Sequence, residues 1–187
     1  MKLRPVPTSS PAEILAAAFD RVSASGADEM ALAAVIASGL ERLFSGRPMR
    51  YLTLAGTDPL LPWWLGPVLT LAGTEMPYLR QEPGATWILA VDGARCIGFG
   101  CVELSRGVAT LRHGWVHPER RAEGIAQELL TRRLAWGREQ GIARFKATMK
   151  PEVAGLFQAE GFAETARRGS YVVLELPSAQ PRAKLAA

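Results

Sequence analysis

The amino-acid sequence predicts a mixed α+β fold, a sheet with helices laid against it. Two observations carry that expectation. From Thr86 onward, apolar runs of strand length give way to segments of helical period in the order β-β-β-α-β-α-β. Asp92-Gly93, between the first two of those runs, is a strong two-residue hairpin signal. A third feature lies upstream, where residues 12–24 and 28–45 carry small apolar side chains at helical spacing on either side of "SASGAD". They predict an N-terminal helical hairpin added to the sheet domain.

Each element has its own reason. In the first helix Ile14, Ala17, Ala18 and Val22 share a face. In the second, Met30, Ala33, Ala37, Leu40 and Phe44 do so behind an acidic first turn. "SGRP" breaks the pattern off, and "MRYLTLAG" alternates as a first strand. The stretch "TDPLLPWWLGPVLTLAGTEM" is interrupted by Pro59, Pro62 and Pro67 and suits short helices or irregular structure. "TWILAV" and "RCIGFGCVEL" are strands, and "GVATLRHGWV", entered from "SRG", is another. The helix from Gly124 to about Gln140 turns Ile125, Leu129, Leu130 and Leu134 inward and stops at Gly141. "ARFKATM" places Phe145, Ala147 and Met149 on one face. Pro151 opens a short helix that closes at Gly161, and "SYVVLEL" is the last strand. The expected division is a helical extension over 1–47, the sheet domain over 48–177 and a mobile tail over 178–187, whose final "KLAA" resembles vector-encoded residues.

Composition narrows the function classes. The chain is 48% hydrophobic and 21% charged, which suits a soluble globular protein and argues against disorder. Its longest apolar run, "LLPWWLGPVLTLAG", is cut by prolines and glycines short of a membrane span, and no signal peptide is expected. Cys96 and Cys101 fit neither a disulfide framework nor a zinc site, so buried reduced thiols, a cytoplasmic location and no metal are the expectation. The net charge of +4 is uneven. Residues 107–187 hold thirteen basic and eight acidic side chains, more than the whole excess. Such a balance admits nucleic acid as a partner, but no nucleic-acid motif is present, and a phosphorylated ligand uses the same charge.

The stretch "WVHPERRAEGIAQELL" poses the chemical question. Glycine is the poorest ordinary helix former, yet Gly124 stands where a helix starts. A helix N-terminus offers unpaired N–H groups and partial positive charge, which suits an approaching anion. The plain alternative is a strand-loop-helix connection with a solvated arginine pair.

These residues resemble the GNAT N-acetyltransferase superfamily. The family signature, a strand ending Val-x-Pro and then Arg/Gln-x-x-Gly-x-Gly/Ala opening a helix, reads here Val116-His117-Pro118 and Arg121-Ala122-Glu123-Gly124-Ile125-Ala126. A further strand and a short helix ending Gly161-Phe162 follow. The resemblance implies a mixed, mostly antiparallel twisted sheet with helices on both sides. It also implies acetyl-CoA as acyl donor, its pyrophosphate cradled by the backbone of residues 121 to 126 and its pantetheine arm paired with Trp115 and Val116. Gly124, lacking a β-carbon, would let the diphosphate reach the amides. Arg120 either points at the phosphates or is solvated.

The implied activity is transfer of an acetyl group to an amine of an unidentified acceptor, a small molecule or a protein. The same fold also serves as a non-catalytic acyl-CoA-binding module, and acylation of nucleic acid is the weakest alternative. Three family positions depart from the pattern: Phe157 stands where many members have an acid Tyr, Lys150 where an Asn often opens that helix, and Thr110 where many have a Glu base. The remaining proton-handling candidates are Glu103, directly or through water, and His113, whose ordinary pKa suits neutral pH, with His117 and Tyr171 ranked below them. Each has a plain reading too, Glu103 as a paired surface carboxylate and His113 as a packed histidine. Simple alternation from Thr110 puts Arg112 rather than His113 on the substrate side unless a bulge intervenes. Residues 1–47 are expected to cover the acceptor cleft, to support a homodimer, or simply to extend the core.

Overall fold

The computed structural model describes residues 49–177, so the hairpin expected over 1–47 and the tail expected over 178–187 lie outside the described residues. A first strand, β1 (Arg50–Ala55), is followed by a helix, α1 (Leu61–Glu75). Next come β2 (Ala85–Asp92), β3 (Arg95–Ser105) and β4 (Val108–Val116). After them stand α2 (Ile125–Glu139), β5 (Arg144–Met149), α3 (Ala154–Ala159), β6 (Ala163–Arg168) and β7 (Tyr171–Leu176). The strands form one sheet in the order β1-β2-β3-β4-β5-β7-β6. The β1–β2, β3–β4, β5–β7 and β6–β7 pairs are antiparallel, while β4–β5 is parallel. The helix α2 makes the crossover between β4 and β5, which a parallel pair requires.

Helices cover both faces. On one, α2 and α3 bury Leu129, Leu130, Leu134 and Phe157 against Ile88, Leu111, Phe145 and Leu174 of the sheet. On the other, α1 packs over β3 and buries Leu61, Trp64, Leu65, Val68 and Ala72. Covering on both faces explains why the middle strands read as unbroken apolar runs: Trp87 to Val91 and Cys96 to Val102 are buried without alternation. The four inward residues predicted for α2 are all buried. Gly161, at φ +89°, closes α3 as a left-handed residue. The N–H groups of Gly161 and Phe162 then return to the carbonyls of Gln158 and Phe157, and the Phe162 ring packs edge-on against Phe157 at 5.3 Å. The Gly-Phe pair is thus a helix stop with its own apolar clasp.

Two sequence expectations need correction. The proline-rich stretch is not broken into short pieces, because α1 runs for 15 residues straight through Pro67. The Asp58 carboxylate accepts from the Leu60 N–H at 2.8 Å just before it, and Pro62 sits in the first turn, where it costs no hydrogen bond. Pro67 lies on the exposed side. An interior proline costs about 3 kcal/mol, and burial of each large side chain on the inner stripe returns about 1.5–3 kcal/mol, so the stripe prevails. The second correction is the added strand β6, whose six residues are all exposed. It is an edge strand with no buried face, and periodicity had nothing to register there.

Candidate active site

The turn between β4 and α2 is built from the signature residues. Gly124 is the N-cap of α2 with φ +78°, and Ala122 also lies in the left-handed region at φ +66°. Apart from its chain neighbours, no atom of the described residues lies within 4 Å of where a Gly124 β-carbon would sit, so backbone conformation on the protein's side is what demands glycine there. No backbone carbonyl among the described residues accepts from the N–H groups of residues 122 to 127. The first helical bond is from the Glu128 N–H to Gly124 O at 3.0 Å. A concave run of free donors on an exposed turn at a helix N-terminus is a fit for a diphosphate. Arg121 braces the turn: its Nη2 donates to the Glu75 carboxylate at 2.6 Å and its Nε to Val116 O at 3.1 Å. The Arg120 Nε donates to the Glu123 carboxylate at 2.9 Å, so neither side chain is simply solvated. The Ile125 side chain is buried with Ile88, Ile97 and Leu129, which leaves only its N–H to the turn.

The strand that leads into this turn is interrupted. Cys101 pairs with Arg112 and Phe99 with Trp115, so two residues of β4, His113 and Gly114, face Gly100 alone. His113 takes φ +50°, a strained value for a side-chain-bearing residue, and forms a β-bulge. Pairing of β4 with β5 stops at Leu111 and Ala147, although the strands run on to Val116 and Met149. The strands part well short of their ends because the bulge carries β4 away. Between the parted strands and the two helices lies a cavity of about 400 Å³ whose walls include Leu111, Leu129, Met149 and Phe157. Trp115, Val116, Arg121 and Ala126 also border it, so the cavity leads from the bulge to the turn. Beyond Leu111, the edge of β4 that faces β5 has no strand paired with it among the described residues. An extended, amide-bearing chain such as the pantetheine arm fits such an edge.

A charged cluster lies on the α1 face. Glu103 and Thr110 are cross-strand partners, and Glu103 Oε2 is 3.1 Å from Arg112 Nε. Glu103 does not border the cavity, whereas His113 does. The His113 ring stacks on Trp87 at 5.9 Å with the planes 7° apart, and its Nε2 lies 4.0 Å from Glu82 Oε1. Burial lowers the His113 pKa, Glu82 opposes that and Arg112 and Arg80 reinforce it, so the ring is neutral and able to accept a proton at neutral pH. Glu82, unmarked in the sequence, is positioned by the segment before β2. That segment is tied to the end of β1 by bonds from Gly56 N to Ala85 O at 2.7 Å and from Gln81 Nε2 to Gly56 O at 2.9 Å. The hydrogen bond from Arg80 holds the Glu82 carboxyl below its ordinary pKa. The bulge thus answers the alternation argument: Arg112 and His113 both reach this cluster.

Another residue missed by sequence reading is Arg133 of α2, which is 3% exposed and borders the cavity. Its signal was present, since it continues the inward row Ile125, Leu129 at helical spacing. Among the described residues no group of three or more His, Cys, Asp or Glu side chains is placed to hold a metal ion. Cys96 and Cys101 are buried free thiols, and no described helix is long and apolar enough to cross a membrane.

Comparison with known proteins fits this geometry. Among solved structures, the ribosomal-protein-S18-alanine N-acetyltransferase of Escherichia coli superposes with a TM-score of 0.56 at 15% identity, over 70-odd per cent of this chain (74%) and 99% of that one. An acyl-CoA N-acyltransferase from Pseudomonas aeruginosa gives 0.58 at 11% identity, covering 68% and 98%. The IAA acetyltransferase of Bacillus cereus gives 0.55 at 15% identity, covering 69% and 99%. At these identities the likeness shows a shared fold. No curated protein matches the chain. The family model described as "Acetyltransferase (GNAT) family" matches residues 55–162, which hold the parted strands, the bulge, the cavity and the phosphate-type turn together. The chain is an acyltransferase and belongs to the GNAT acetyltransferase family.

Proposed function

We propose that the enzyme moves an acetyl group from acetyl-CoA to an amine of a small-molecule or protein acceptor. The observation that carries this reading is the continuity of the donor path. Six N–H groups without backbone acceptors at the turn lead into an apolar cavity that runs beside the unpaired edge of β4. Residues 121 to 126 would hold the diphosphate, and the backbone of Trp115 and Val116 the pantetheine arm. When bound, the donor supplies an activated acyl carbon. The chain's own tasks are then to polarise the carbonyl, to take a proton from the acceptor and to keep water out. A backbone N–H at the splayed part of β4 suits the first task. For the second, His113 is the better of the two candidates: it is neutral and borders the cavity, whereas Glu103 is held by Arg112 away from it. The Glu82 carboxylate, 4.0 Å from Nε2, favours the charged form of the imidazole once the proton arrives.

The test is consumption of acetyl-CoA against a panel of amines, peptides and RNA, alongside calorimetric binding of coenzyme A. Turnover with amines or peptides and not RNA supports the reading. Turnover with RNA alone overturns the acceptor class, and no binding of coenzyme A overturns the donor assignment.

A further inference from the structure

Arg133 presents a charge in an apolar place. Its Nε donates to Leu129 O at 3.2 Å, within its own helix. The guanidinium fills the room left where Gly100 has no side chain: a β-carbon there would lie 2.9 Å from Cζ and 3.0 Å from Nη1. Gly114, the second bulge residue, faces the same group, with a β-carbon position 3.6 Å from Nη1 and Nη2. The Phe157 ring centroid is 5.9 Å from Cζ. No carboxylate among the described residues forms an ion pair with it. Cys101 is the titratable neighbour, and burial pushes that thiol up to about 12, so it stays protonated and supplies no counter-charge. Burial lowers the Arg133 pKa to about 10, which still leaves a cation at neutral pH.

A buried cation without a partner costs several kcal/mol, and the balancing charge has to come from whatever occupies the cavity. The position says which end of the occupant. Ala126 borders the cavity beside the turn, and Arg133 lies seven residues further along α2, about 10 Å away at 1.5 Å per residue. The donor's phosphates belong at the first end, so its reacting end meets Arg133, level with the bulge. Phe157, which borders the same end, has no proton to give.

We propose that the Arg133 guanidinium stabilises the coenzyme A thiolate as it leaves, in place of a proton donor. This rests on the acyl-CoA reading of the cavity. In the step, the acceptor nitrogen's lone pair bonds to the thioester carbonyl carbon and the carbonyl pair moves onto oxygen. Its return re-forms the carbonyl and breaks the C–S bond, and sulfur departs with the C–S bonding pair as thiolate beside the guanidinium. The proton lost by nitrogen goes to His113, and the thiolate takes its proton from water on release. The guanidinium compensates the charge where it forms, and no acid is consumed.

The test follows the thiol of bound coenzyme A by its thiolate absorbance across pH, with desulfo-coenzyme A binding as the control. In the wild type the bound thiol should titrate about one to three units below free coenzyme A, the shift that a fixed opposite charge nearby produces. Arg133→Met should return it to the free value, leave desulfo-coenzyme A affinity unchanged and slow acetyl transfer about 100-fold. Arg133→Lys should keep part of the shift. The proposal is overturned if the wild-type bound thiol titrates like the free one. It is overturned equally if the Met variant loses desulfo-coenzyme A as strongly as coenzyme A, which marks a structural role. Tighter binding of succinyl-CoA than acetyl-CoA that depends on Arg133 would assign the cation to an acyl carboxylate instead. Should the Met variant not fold, the wild-type titration and the Lys variant decide. Failure of coenzyme A to bind the wild type at all strikes the acyl-CoA reading itself, an outcome separate from binding without a thiol shift.

Discussion

Substitution of Gly124 separates two roles that the turn assigns to one residue, a left-handed backbone and close access for a ligand. At φ +78° any β-carbon brings strain, about 1–2 kcal/mol for an ordinary residue and more for a β-branched one. For a domain of this size that is a fall in Tm of about 2–8 °C for Gly124→Ala, and a larger one for Gly124→Val. No atom of the described residues crowds the position, so strain sets the stability cost there. Asn tolerates the left-handed region, and Gly124→Asn should keep most of the stability while still adding a β-carbon in front of the amides. If a diphosphate rests on those amides, each charge-assisted bond lost costs about 1.5–3 kcal/mol, or about 10- to 150-fold in affinity. Calorimetric titration of coenzyme A against the folded variants reads this, with S-acetylpantetheine, which lacks the diphosphate, as control. All three variants should weaken coenzyme A by at least tenfold and leave S-acetylpantetheine binding unaltered. Wild-type coenzyme A affinity in a folded Asn or Val variant would refute the phosphate assignment, and equal loss of both ligands would point to a collapsed cavity instead.

Other outcomes follow from the described geometry. Burial holds the His113 pKa below the usual histidine value, so the unfolded state takes up the proton first as pH falls and stability declines from about pH 6.5 downward; a urea series across pH reads this. The acid limb of kcat/KM should likewise lie below pH 6.5, move lower still in Glu82→Gln and vanish in His113→Asn, which retains a residue suited to φ +50°. Gly137→Ala gains about 1 kcal/mol of helix propensity. Its β-carbon would stand 2.5 Å from the buried Phe145 ring, however, and overpacking of about 1–3 kcal/mol prevails, so Tm should fall by a few degrees in a thermal melt. Burial pushes both thiols up to about 12, so Cys96 and Cys101 should resist a thiol reagent at pH 8 until denaturant is added, when both react.

The parts legible in the sequence are those in which one local signal suffices. The inward row of α2, the Gly-Phe stop and the β2–β3 turn, which falls on Gly93-Ala94 one residue past the Asp92-Gly93 expected, each sit within a short window and carry their own physical cause. The proline count misled at α1, because its outcome depended on a buried stripe whose partner, β3, is some thirty residues away. The strand β6 left no trace, since all its side chains face water. In the site, the turn was readable from a glycine in an unfavourable place, but the bulge was not. Alternation fixes facing only while the register holds, and a single extra residue opposite Gly100 changes it. Glu82 acquires meaning only when the fold brings it beside residues 112 and 113. Arg133 was hidden by its own chemistry, since a charged residue on a helix is normally counted as surface.

The extra residue in β4 works as a phase slip in a two-stroke pattern. Arg112 and Trp115 are three apart and would face opposite ways on a regular strand. Here both are opposite odd-numbered partners on β3, Cys101 and Phe99, on the α1 side, and Val116 is returned to the cluster under α2. Removing one residue from the His113-Gly114 pair would close the kink and restore one-to-one pairing opposite Gly100. Arg112 and Trp115 would then be two apart and would keep their places opposite Cys101 and Phe99, so both faces of the strand keep their linings. The extra residue is thus a spacer that leaves every facing intact, and its removal would let β4 run on beside β5 and narrow the groove between them without altering the identity of any lining residue.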